Sequence, residues 1–189
     1  MRSCVIIPAR FKSTRFPGKP LAKILKKEMI IWVAELSAIA VGKANVYIAT
    51  DNFKISDKVK EYGFNSIMTD SELITGTDRV AQAALSLDYD LFVNVQGDEP
   101  LIDPDDILKS IKLKEEFPSQ IINSFCFINE NEDPSNKNIP KVITSENNDL
   151  IYISRAIIPN SKNNNMEDIR YKKQVCIYSY FKEELIEFL

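Results

Sequence analysis

Short apolar runs alternate with helical patterns through residue 120, and that alternation sets the class of fold. Cys4–Pro8 (CVIIP), Asn45–Thr50 (NVYIAT), Asn65–Met68 and Leu91–Val95 (LFVNV) read as strands. Between them, Met29–Ala40, Phe53–Tyr62 and Thr77–Leu87 read as helices, the last with Val80, Ala83, Ala84 and Leu87 on one stripe. Asp103-Pro104-Asp105-Asp106 opens a further helix, with a capping acid, proline at the first helical position and acids in the first turn. Apolar strands separated by helices are buried on both faces, which predicts an α/β fold with a mostly parallel sheet and helices on each side.

The pattern changes after Ile121. Ile121–Ile128, Val142–Ile153 (broken by the turn-like SENNDL) and Val175–Phe181 read as strands, and Asn160–Asn165 as a polar loop. The chain closes on the two-turn helical pattern EELIEFL. The expectation is a single domain over 1–189, with a nucleotide-binding part in 1–120. Residues 121–189 would add a partly antiparallel substrate wall. The 189 residues suffice for one domain with a real core.

Composition removes whole classes of chemistry. There is no histidine, so Ser-His-Asp and Cys-His catalysis are excluded, as is zinc held by imidazole. Carboxylates, Lys, Arg and hydroxyls remain, and carboxylates favour hard ions such as Mg²⁺. The net charge of −3 gives no pull toward nucleic acid or an anionic membrane. No apolar stretch approaches the roughly 20 residues that span a bilayer. Cys4, Cys126 and Cys176 lie in apolar runs without CxxC spacing and read as buried thiols. A cytoplasmic location without membrane insertion is expected.

In an open parallel sheet, ligands bind beyond the carboxyl ends of the strands. Four polar clusters fall there. The first strand runs into Pro8-Ala9-Arg10-Phe11-Lys12-Ser13-Thr14-Arg15-Phe16-Pro17-Gly18-Lys19, which carries four cations and matches neither a Walker nor a Rossmann loop. Arg10, Arg15 and Lys19 suit a triphosphate; a solvated basic loop fits the same residues. Ala49-Thr50-Asp51 and Thr75-Gly76-Thr77-Asp78-Arg79 read as ligand contacts or as helix caps. Gln96-Gly97-Asp98-Glu99-Pro100 puts an acid just past a buried strand, beside a glycine that permits close approach. Asp98 is therefore a candidate Mg²⁺ ligand, whereas Asp103 reads as a helix cap.

These clusters, in this order, resemble the CMP-Kdo synthetase family (3-deoxy-manno-octulosonate cytidylyltransferases). The matching stretches are VIIPARFKSTRFPGKPL, IATD, TGTDR, FVNVQGDEP, YISRAIIP and CIYSYF. The resemblance implies a Rossmann-like nucleotidyltransferase fold. It implies that CTP and the acid sugar Kdo give CMP-Kdo and diphosphate with Mg²⁺, activating the sugar for lipopolysaccharide or capsule synthesis. It places Pro8, Ala9, Arg10, Ser13, Lys19, Thr50, Asp51, Gly76, Thr77 and Arg79 around the nucleotide. Arg15, Lys19 and Asp98 would serve the transfer, with Asp98 on the metal, and Gln96, Arg155 and Tyr178 would face the sugar. A homodimer and a further C-terminal segment with a second metal aspartate are also implied.

Two departures bear on the substrate. Gln174-Val175 stand before Cys176-Ile177-Tyr178, where the family pattern has a histidine, and Leu73 stands where another precedes the small-residue turn. A related acid sugar, such as 8-amino-Kdo or a nonulosonate, is thus an alternative substrate. A non-catalytic CTP-binding remnant is the alternative outside catalysis.

Overall fold

The computed structural model describes residues 1–12, 16–160 and 169–189. Ser13 and Arg15, and most of the expected loop Asn160–Asn165, lie outside the described residues. The elements in chain order are β1 (Ser3–Ala9), β2 (Lys23–Ile24), β3 (Lys27–Glu28), α1 (Met29–Val41), β4 (Val46–Thr50), α2 (Phe53–Glu61), β5 (Asn65–Met68) and α3 (Gly76–Ala84). They continue with β6 (Leu91–Val95), α4 (Pro104–Glu116), β7 (Ile122–Phe127), β8 (Lys141–Thr144), β9 (Leu150–Ser154), β10 (Lys172–Phe181) and α5 (Lys182–Ile186). Contacts divide the chain into two compact units. One comprises Met1–Ile122 with Ile177–Leu189, and the other Asn123–Cys176.

The first unit carries the mostly parallel sheet that the apolar runs predict. Its order is β5-β4-β1-β6-β10. β1 pairs in parallel with β4 (Val5 opposite Val46) and with β6 (Val5 opposite Val93), and β4 with β5. The last strand is antiparallel, Tyr178 lying opposite Asn94. β1 and β6 are buried along nearly their whole length because helices cover both faces. Cys4, Ile6, Ala49, Phe92 and Tyr180 pack under Val80, Ala83 and Ala84 of α3 and Leu185 of α5. α1 packs on β1, β4 and α4. Burying side chains such as Phe92 or Ile6, both fully enclosed, contributes about 1.5–3 kcal/mol each.

In the second unit, β8 and β9 form an antiparallel hairpin around the SENND turn, with Val142 opposite Ile153. The start of β10 adds to β8, Lys172 opposite Val142. Buried Lys141 donates to the carbonyls of Asn136 (3.0 Å) and Arg155 (2.9 Å). Among the described residues no helix is long and apolar enough to cross a membrane.

The β2–β3 hairpin goes beyond the sequence reading. Its two-residue loop, Leu25–Lys26, has φ of 50° and 72°. Positive φ at both positions makes the mirror-image turn that matches strand twist, built here from residues that rarely adopt it.

Candidate active site

Beyond the carboxyl ends of β1 and β6 lies a cleft of about 660 Å³. Three loops build it. β1 delivers Pro8, Ala9 and Arg10, then turns through Lys19 and Pro20; the turn before α3 brings Leu73, Ile74, Thr75 and Gly76; β6 delivers Gln96, Gly97 and Asp98. Phe16, Met29 and Arg79 complete the walls.

The β1 loop closes on itself. Gly18, at φ 72°, donates its N–H to the Phe11 carbonyl at 2.9 Å, and only glycine takes that backbone region without a steric penalty. A single 3-10 turn follows, placing Lys19 at the cleft. Its ammonium donates to Asp98 at 2.6 Å, with both side chains about half exposed (42% and 49%). That exposure makes the pair worth little to folding and leaves both groups open to a ligand.

Gly97, just past β6, packs tightly against the end of β1. A Cβ there would stand 2.9 Å from the Pro8 carbonyl oxygen and 3.1 Å from Ile30. Glycine is thus what lets the two loops meet. At Gly76 a Cβ would stand 3.0 Å from Gln96 Oε1 and 3.2 Å from Pro8, so this position too must stay bare for Gln96 to lie across it.

Thr75 caps α3 in a reciprocal box. Its hydroxyl oxygen accepts from the Asp78 N–H at 3.1 Å, and the Asp78 carboxylate accepts from the Thr75 N–H at 2.9 Å. The Thr75 hydroxyl and amide hold the Asp78 carboxyl below its usual range. The other anticipated cap falls one residue later than expected: Asn52, not Thr50 or Asp51, caps α2 by accepting from the Lys54 N–H at 2.9 Å.

Asp51 does something else. Its carboxylate accepts from the Phe11 N–H at 3.1 Å and pairs with the Arg79 guanidinium at 3.6 Å. Arg79, only 2% exposed, also donates to the Thr69 hydroxyl. This strut ties the chain after β1 to the ends of β4 and β5 and to α3. Burial lowers the Arg79 pKa, Asp51 opposes that shift, and the positive charge of Arg10 adds to it. Arg10, Arg79 and Lys19 line one cleft, with Asp98 and Asp51 as counter-charges to two of them, and the surplus positive charge suits an anion.

Of the residues predicted to serve the nucleotide, Pro8, Ala9, Arg10, Lys19, Gly76 and Arg79 line this cleft, together with Gln96 and Asp98. Thr50 is fully buried behind it, its hydroxyl accepting from the Asn52 N–H at 3.3 Å. Burial pushes the pKa of the Tyr180 phenol up to about 12, and Thr77 beside it works against that shift. Tyr178 packs against the core under α3, stacked on Tyr180. Arg155 belongs to the second unit, where its guanidinium donates to the carbonyl of Lys137 at 3.0 Å. Phe16, Pro20, Met29 and Ile74 are wall residues that the sequence reading does not single out. Apolar walls carry no chemical signature, though Ile74 has a weak one in its neighbour Leu73, already marked as a departure.

Among the described residues no cluster of three or more carboxylates or cysteines could enclose a metal. Asp98 is the cleft's one carboxylate among its lining residues. One hard oxygen donor suits Mg²⁺ held largely by phosphates and its own waters. The residues present fit an ion that arrives with a polyphosphate, not a caged one.

Comparison with known proteins agrees with this fold. The family model described as cytidylyltransferase matches residues 4–189. A 3-deoxy-manno-octulosonate cytidylyltransferase of Escherichia coli is 34% identical over 97% of this chain and 74% of its own length. An 8-amino-3,8-dideoxy-manno-octulosonate cytidylyltransferase of Shewanella loihica is 39% identical over 97% of this chain and 76% of its own. The solved structure of CMP:2-keto-3-deoxy-manno-octonic acid synthetase complexed with CTP superposes with a TM-score of 0.88 at 33% identity, covering 100% of this chain and 77% of that one. Family match, identity and fold together show that the chain is a nucleotidyltransferase belonging to the cytidylyltransferase family.

Proposed function

We propose that this cytidylyltransferase joins CMP from CTP to 3-deoxy-manno-octulosonate, releasing diphosphate. The observation that carries the reading is the convergence of Arg10, Lys19, Arg79 and Asp98 on one cleft, in a chain that shares its fold with a synthetase solved with CTP. A sugar hydroxyl oxygen bonds to the α-phosphorus, the bond from that phosphorus to the bridging oxygen breaks, and diphosphate departs with the electron pair. The hydroxyl proton passes to solvent. Such a transfer needs positioning and neutralised charge rather than a covalent nucleophile, which matches a cleft without histidine or cysteine.

In this reading Arg10 and the Ala9 backbone hold the base, with Gly76 and Thr77 at the turn beside it. Lys19 and Arg15 hold phosphates. Asp51 and Thr50 act from behind, Asp51 by fixing Arg79 and the chain after Arg10. Asp98 would hold Mg²⁺, which supplies charge neutralisation on phosphate oxygens when bound. Gln96 and Tyr178 serve the sugar.

The 8-amino sugar is the second reading, favoured by the higher identity to the Shewanella loihica protein, 39% against 34%. Diphosphate release with CTP, assayed in parallel against Kdo and 8-amino-Kdo, separates the two. Turnover with Kdo supports the first reading and turnover with the amino sugar alone supports the second. Release with neither, despite CTP binding, removes both.

A further inference from the structure

The next-to-last position of β6 holds a polar side chain where every other residue of the strand is apolar. Asn94 is fully buried between Ile6 of β1 and Tyr178 of β10. Burying an amide costs free energy unless its donors and acceptors are met. Among the described residues they are met only by half: Asn94 Oδ1 accepts from Gln96 Nε2 at 2.9 Å, and Asn94 Nδ2 has no partner there. A valine would pack at this position without that penalty. The amide therefore costs stability at this position, and the one bond it makes is to Gln96.

Gln96 lines the cleft. It is held on two sides, by the bond to Asn94 and by the bare backbone of Gly76 that it lies across. With Nε2 engaged, Oε1 is the acceptor left on this wall. The opposite amide orientation at both residues would also form one bond. It would then leave Asn94 Oδ1 unpartnered and present an NH₂ donor instead. In the orientation the structure has, the bond to Asn94 thus leaves the Gln96 oxygen as the face a ligand meets. A floppy glutamine would lose rotamer freedom on binding, and the bond to Asn94 already restricts that freedom.

We propose that Asn94 is a positioning residue that holds Gln96 with its amide oxygen as an acceptor for a hydroxyl or amine of the sugar substrate. The inference rests on the cytidylyl-transfer reading above. It assigns specificity to a side chain that never touches substrate.

The test is steady-state kinetics on the full chain with CTP and whichever of the two sugars it turns over, alongside CTP affinity by calorimetry. Asn94→Ala is expected to raise the sugar KM about tenfold while CTP affinity stays within twofold. Gln96→Ala is expected to do the same, and the double variant no more than either alone, because coupled residues do not add. Asn94→Asp keeps the acceptor for Gln96 Nε2 and is expected to recover most of the loss. Equal damage to CTP and sugar binding, or full additivity of the two alanine variants, overturns the assignment. Should Asn94→Ala fail to fold, Gln96→Ala carries the test: an unchanged sugar KM there overturns it as well. An unaltered chain that turns over neither sugar removes the functional reading itself. One that turns over normally with Asn94→Ala indistinguishable from it removes only the role of Asn94.

Discussion

Lys19 and Asp98 form an ion pair that contributes little to the fold and lies open at the cleft. Their ions sit 2.6 Å apart, yet each is nearly half exposed, so water and salt screen the pair. Lys19→Ala is therefore expected to leave the thermal midpoint essentially unchanged. It should weaken CTP binding by about 1–3 kcal/mol, the scale of a lost charge-assisted hydrogen bond. Calorimetric titration with CTP checks this, and an unchanged dissociation constant would take Lys19 out of the phosphate site. Arg10, Lys19 and Asp98 stand out as candidates because charges just past apolar strands lie where an open sheet binds ligands, and all three line the cleft. Asp51 and Arg79 do not, since their partnership spans 28 positions and depends on α3 packing back over the ends of β4 and β5. Asn94 was invisible within LFVNV, where one amide reads as a blemish in a strand.

Helices and strands were easier to read than their ends and turns. The apolar runs fixed where β1, β4 and β6 lie because burial on both faces leaves no alternative pattern. The β2–β3 hairpin escaped because Leu25–Lys26 lacks the glycine or asparagine that marks such turns. Its left-handed residues predict a simple gain. Replacing Lys26 by glycine removes a left-handed penalty of about 1–2 kcal/mol against an entropic cost of about 0.5–1 kcal/mol for glycine. Lys26→Gly should raise stability by the difference, about 0.5–1 kcal/mol, in urea unfolding; a loss would mean that the turn is not strained. The α3 cap makes a second case at this scale. Asp78 titrates below its ordinary value through its bonds to Thr75. A depressed carboxyl contributes stability above its unfolded pKa, and that contribution disappears as pH falls through the folded value. Thr75→Ala should cost about 1 kcal/mol near neutral pH and flatten the acid limb of the stability profile. An unaltered acid limb would show that the capping box does not form in solution.

The first unit is closed by a segment far away in sequence, and one buried lysine secures the closure. Ile177–Leu189 returns to put β10 beside β6, the strand that carries Asn94 and leads into Gln96 and Asp98. Lys114, at the end of α4, is fully enclosed. Its ammonium donates to the carbonyls of Pro118 at 3.0 Å and Gln120 at 2.7 Å, and to the Glu184 carboxylate of α5 at 2.6 Å. The Phe181 ring lies 4.4 Å from the same nitrogen. A charge this deep is tolerable only because every proton has a partner. Nothing in the lone pattern KSIKLKEE distinguishes this lysine from its solvated neighbours, because its partners come from a turn and from a helix 70 residues on. Lys114→Met keeps the volume and deletes the charge. It leaves two carbonyls and Glu184 without their donor, and should cost about 3 kcal/mol, the lower end for breaking a buried pair whose other member retains some access to water. Because none of these atoms lines the cleft, CTP affinity at low temperature should be unchanged while the urea midpoint falls. Amide exchange should quicken first in β10 and α5, where the tie is cut. A loss of CTP binding at full stability would instead place Lys114 in the nucleotide site, and an unchanged midpoint would mean that α5 is held without it.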